Sequence, residues 1–113
     1  MAENKLADMS TEFAVKILNL TDGIKGHYSL ANQLERSGTS IGANIREAFY
    51  AHSKADFIAK LQIALKECSE SEYWLELLIE SGYHGDKAIL DRCVEIKRIL
   101  ISSINTAKEN TQK

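Results

Sequence analysis

The residues of this chain that could do chemistry are three histidines, two cysteines and a run of acids in one helical pattern. His27, His52 and His84 could act as general acid–base groups or metal ligands, because imidazole titrates near neutral pH and offers a ring nitrogen. No acid or nucleophile stands in a recognisable catalytic arrangement with any of them, and all three fall at breaks between apolar patterns. Each therefore reads as a capping or solvent-exposed residue. Cys68 and Cys93 are far apart in the sequence, each inside an apolar helical pattern, the setting of a small core residue. A disulfide or metal pair is the sharper reading, but no histidine or acid lies at ligand spacing from either cysteine. Glu67, Glu70, Ser71 and Glu76 do not repeat the Glu-x-x-His pattern of di-iron bundles. There is no phosphate loop, nucleophile elbow or Cys-x-x-Cys. The expectation is a protein that is not an enzyme and carries no metal or cofactor.

A different chemistry belongs to residues 36–48, Arg-Ser-Gly-Thr-Ser-Ile-Gly-Ala-Asn-Ile-Arg-Glu-Ala. Its apolar spacing is helical, yet Ser37, Gly38, Ser40, Gly42 and Ala43 are small. Each glycine costs about 1 kcal/mol relative to alanine inside a helix, so close approach of another backbone must compensate. Arg36, Gly38, Ser40, Gly42, Asn44 and Glu47 are the candidate packing motif. Asn44 sits beside the apolar stripe and must find hydrogen-bond partners. It reads as a register device, as one buried asparagine is in a coiled coil, with ligand contact as the other reading.

Four amphipathic patterns position these residues. The first carries Leu6, Met9, Phe13, Ile17, Leu20 and Ile24, with Ser10 as a possible cap of its better half, about 10–26, and Gly23 and Gly26 at its end. The second, about 29–51, begins at Ser29 and carries Leu30, Leu34, Ile41, Ile45 and Phe49. The third, about 54–81, opens on Ser53 with Asp56, a variant of the capping box, and stops at Gly82. The fourth, about 86–107, starts at Asp86, and Lys108 near its end suits the helix dipole. Residues 1–5 and 109–113 read as frayed ends. Short breaks between long helices favour antiparallel neighbours, so 1–113 reads as one all-α domain, an antiparallel up-down-up-down four-helix bundle.

The chain has 113 residues, no proline and a formal net charge of −2, which argues against a dedicated nucleic-acid binder. It shows no apolar run long enough to span a bilayer and no leader pattern, so the expected location is cytoplasmic, away from the membrane. The apolar stripes are wider than one core needs. Tyr73, Trp74 and Leu75 cannot share one face, since successive helical residues point about 100° apart. Tyr73, Trp74 and Leu77 are thus candidates for a subunit interface. Charge is uneven as well: residues 54–82 carry three lysines against six acids, whereas 86–108 carry five cations against three acids. Opposed faces of this kind favour head-to-tail packing that closes into a ring. Arg92, Lys97 and Arg98, gathered from several subunits, are the candidate nucleic-acid contacts.

The stretch 36–48 closely resembles the signature of bacterial four-helix-bundle proteins linked to intervening sequences of 23S ribosomal RNA genes. The segments Ala55–Leu61, Ile63–Glu67 and Glu72–Leu78 resemble that family's third helix, and the likeness spans about Ser10 to Ile104. The resemblance implies a homopentameric ring without enzymatic activity. It extends to the accessory variability proteins of diversity-generating retroelements, basic pentamers that bind a reverse transcriptase and nucleic acid. Two features depart from the pattern. Ala48 stands where many relatives have glycine, and the net charge is negative where the retroelement branch relies on a positive surface.

Overall fold

Each amphipathic pattern forms one helix. The computed structural model describes the backbone of residues 2–112 and the side chains of residues 5–110. The helices are α1 (Ala2–Asp22), α2 (Tyr28–Phe49), α3 (Lys54–Glu80) and α4 (Lys87–Gln112), with no strand among the described residues. Their apolar stripes meet in one core. Phe13 and Ile17 of α1, Leu34, Ile41 and Ile45 of α2, Leu61, Cys68, Leu75 and Leu78 of α3, and Cys93, Ile96 and Leu100 of α4 are all sealed from solvent. Helix α1 packs against α2 and α4, and α3 packs against α2 and α4, with the diagonals apart. The long helices make the molecule elongated, 50 × 22 × 21 Å. No described helix is long and apolar enough to cross a membrane.

The ends of the helices differ from several expectations. Helix α1 starts at Ala2 rather than near Ser10, because Leu6 and Met9 extend its buried stripe by two turns. Ser10 is therefore not a cap; its hydroxyl donates to the Ala7 carbonyl inside the helix. Helix α1 stops at Asp22, short of Gly26. Helix α2 begins at Tyr28, and its cap position is held by His27 in a left-handed conformation (φ 31°) without a side-chain cap, so Ser29 does not serve. Helix α4 runs on to Gln112, which carries Lys108 out of the last turn. Of the ends expected to fray, 1–5 and 109–113, the stretches 2–5 and 109–112 are instead helical, continuing α1 and α4, while Met1 and Lys113 lie outside the described residues.

The other caps follow directly from the residue types. Ser53 is extended and its hydroxyl accepts from the Asp56 amide at 3.0 Å. The Asp86 carboxylate accepts from the Ile89 amide at 3.2 Å, opening α4. At the end of α3, the Tyr83 amide donates to the Leu78 carbonyl and the Gly82 amide to Ile79. This paired closure needs a left-handed residue, and Gly82 (φ 70°) supplies it without a β-carbon penalty.

The α1–α2 and α3–α4 turns meet at one end of the molecule. The His27 ring stands edge-on to Tyr83, centroids 4.7 Å apart. The His84 imidazole lies against Gly23, so close that a β-carbon there would fall 2.8 Å from Nε2.

Candidate functional site

The small residues of α2 lie where α1 comes closest. A β-carbon on Gly38 would fall 3.0 Å from both Cγ1 and Cγ2 of Ile17, and one on Gly42 would fall 3.2 Å from the Ser10 hydroxyl. Gly38 is buried, and Gly42 and Ser40 are half-buried. The Ser40 hydroxyl is spent within the helix, donating to the Arg36 carbonyl at 2.7 Å. As α2 advances from 38 to 42, its partners on α1 retreat from 17 to 10.

The opposite flank of α2 faces α3 through polar groups. Ser37 and Ser71 are both fully buried, with their hydroxyls 2.8 Å apart. Each hydroxyl also reaches a carbonyl of its own helix, Ser37 that of Leu34 at 3.3 Å and Ser71 that of Glu67 at 2.9 Å, and either can donate across the seam. Arg36 reaches the same helix at the surface, pairing with Glu70 at 2.7 Å and Glu67 at 3.4 Å. Glu70 also accepts from the Trp74 indole N–H at 3.3 Å. Further along, Glu47 pairs with Lys60 at 3.4 Å. Asn44, half-buried, turns onto its own helix and donates to the Ser40 carbonyl at 2.9 Å. The hydrogen bond between helices that the sequence reading placed at Asn44 is made by Ser37 and Ser71. Their spacing held the signal: Ser37 follows Leu34 by three, and Ser71 stands three after Cys68 and four before Leu75, both core positions.

The candidate interface residues separate. Tyr73 is 54% exposed and Leu77 37%, with Ile63 on the same outer side of α3. Trp74 turns inward, half-buried against the core, with its ring 5.1 Å from Tyr73. Val15 and Leu18 of α1 and Ile101 of α4 are also exposed apolar residues.

The three candidate nucleic-acid contacts are not brought onto one patch. Arg92 leans toward α1, pairing with Glu12 at 3.6 Å and Glu95 at 3.2 Å. Lys97 leans toward α3, where its ammonium is 2.6 Å from the Glu72 carboxylate. That hydrogen bond holds the Lys97 pKa above the ordinary lysine value, against partial burial, which pulls the other way. Arg98 points to solvent.

Cys68 and Cys93 are fully buried free thiols that face each other across the α3–α4 seam, sulfurs 3.7 Å apart. The small-core setting read from the sequence holds for both, and the two sulfurs are in contact without a disulfide bond. Among the described residues, no group of three or more histidine, cysteine or acidic side chains is placed to hold a metal. His52 lines an open cleft at the α2–α3 turn with Arg46, Glu47, Tyr50, Asp56 and Lys60. The cleft has mixed charge and no nucleophile paired with a base.

Comparison with known proteins adds a family. The family model described as 23S rRNA-intervening sequence protein matches residues 2–102. A crystal structure of a protein of unknown function from the S23 ribosomal protein family of Bacteroides thetaiotaomicron VPI-5482 is similar, at 49% identity and a TM-score of 0.85. The similarity covers 93% of this chain and 99% of that one. No curated protein matches the chain.

Proposed function

This chain belongs to the 23S rRNA-intervening sequence protein family, and on that premise we propose that it is a non-enzymatic, cytoplasmic assembly or adaptor module. One antiparallel up-down-up-down four-helix domain would associate with copies of itself into a ring, a homopentamer by the family resemblance. The antiparallel reading is supported by partners that run in opposite directions, Gly38 with Ile17 and Gly42 with Ser10. Self-association rests on a single observation: Ile63, Tyr73 and Leu77 are exposed on the outer side of a helix whose inner side already fills the core. Apolar surface of this kind is characteristic of subunit contacts. The acidic excess of α3 and the basic excess of α4 support a head-to-tail arrangement. Light scattering at micromolar concentration tests the reading. A mass of five times 12.6 kDa is expected, and a monomer would overturn self-association. The Tyr73→Glu/Leu77→Glu double variant should lose assembly while keeping its helical circular dichroism.

The family description supports a second reading, a nucleic-acid-binding accessory protein, acting either with an rRNA intervening sequence or as the partner of a reverse transcriptase. Arg92, Lys97 and Arg98 are its candidate contacts, and the first two would have to exchange Glu12, Glu95 and Glu72 for phosphate. Titration with structured RNA at two salt concentrations tests it. Binding through phosphates must weaken steeply with salt, and no binding at low salt removes the reading.

A further inference from the structure

We propose that Cys68 and Cys93 are an oxidisable pair, and that a small peroxide converts them into a disulfide that locks α3 to α4. The two thiols meet in a reciprocal arrangement. Cys68 Sγ lies 3.3 Å from the Cys93 carbonyl oxygen, Cys93 Sγ lies 3.4 Å from the Cys68 carbonyl oxygen, and the sulfurs are 3.7 Å apart. Each sulfur thus touches the other residue's backbone, and the proposed bond requires the sulfurs, already in van der Waals contact, to close to about 2.05 Å. Nothing stands between them, and both are sealed from solvent.

The chemistry balances with one peroxide. Attack by one sulfur breaks the O–O bond, leaving a sulfenic acid and releasing water. The second sulfur then attacks the sulfenic sulfur. An S–S bond forms, the S–OH bond breaks, and the departing hydroxide takes the second thiol's proton to become water. Two thiols and one peroxide give one disulfide and two waters, with two electrons passing from sulfur to oxygen. The contact with Cys68, together with burial, pushes the Cys93 thiol up, so its nucleophilic thiolate is suppressed in the closed seam. Oxidation therefore follows local opening of the α3–α4 seam, and closure afterwards shields the bond from reductants. The bond would close a loop of 25 residues in sequence separation across the turn between the helices, removing freedom from the unfolded chain.

The full-length protein is treated with stoichiometric hydrogen peroxide and read by intact mass, non-reducing electrophoresis and thermal melting. The expected result is loss of two hydrogens in mass, no higher-mass covalent species, and a melting temperature higher by roughly 10 °C, reversed by dithiothreitol after unfolding. Unchanged mass, added oxygen as sulfinic acid, a cross-link between chains, or a disulfide without a rise in melting temperature would each overturn the proposal. Cys93→Ala must abolish the loss of hydrogens. Should that variant fail to fold, the wild-type mass and melting results decide alone. These readouts are independent of light scattering, so the outcome here leaves the assembly reading untouched.

Discussion

Ser37 and Ser71 show how one polar pair can set the register of α2 on α3. Truncating Ser37 alone takes away the partner of the buried Ser71 hydroxyl across the seam, at a cost of about 1 kcal/mol. Removing both hydroxyls leaves nothing unsatisfied. Ser37→Ala and Ser71→Ala are therefore expected to be non-additive, with the double variant costing less than the two singles together in urea unfolding. Lys97 makes a pH-dependent contribution of the opposite kind, charged and half-buried. Its pKa in the folded protein is raised, so the stability it adds is fully present below the ordinary value of 10.5 and is lost as pH rises through the higher folded value. The stability gap between the wild type and Lys97→Met should be flat near neutral pH, amount to no more than about 1 kcal/mol, and shrink above pH 10.5. A gap that widens in alkali would contradict this sign.

At the scale of elements, the caps and turns were the most legible from sequence where a single residue type carries the geometry. Ser53, Asp86 and Gly82 cap or close helices as their chemistry dictates. Ser53→Ala should cost about 1 kcal/mol, measured by thermal or urea unfolding. Legibility failed where tertiary contact decides. Ser10 looks like a cap, but Leu6 and Met9 find core partners, so the helix continues through it. His27 takes the cap position of α2 because the turn needs a left-handed residue there and Tyr83 receives its ring. At Gly85, in the turn between α3 and α4, a β-carbon would fall 2.7 Å from the Ile79 Cα. That neighbour is backbone and cannot rotate away, so Gly85→Ala should destabilise the protein by about 2 kcal/mol, toward the middle of the overpacking range.

For the whole molecule, the four helices follow from apolar periodicity, since residues three and four apart must share a buried side. Pairing is less legible, because periodicity shows which side of a helix is buried but not what covers it. The glycines at 38 and 42 announced a close neighbour without naming it; the structure places α1 there. The cysteines suggested a pair only weakly, since 25 residues of sequence separate them and helical spacing does not say which helices face each other. Interhelix contact at Gly38 now makes a sharp expectation: Gly38→Leu should lower stability by about 3 kcal/mol, because Ile17 already occupies the space. Stability unchanged by that substitution would mean the helices can separate freely.

The two turns clasped through His27, Tyr83 and His84 also make the molecule's two ends unequal. There two turns are stitched across to each other, whereas the opposite end carries the single turn between Phe49 of α2 and Lys54 of α3. Amide hydrogen exchange should therefore run as a gradient along the long axis, slower near the stitched end than near the α2–α3 turn. Whatever strains this protein would open it at the unstitched end, as a clothes peg opens away from its spring.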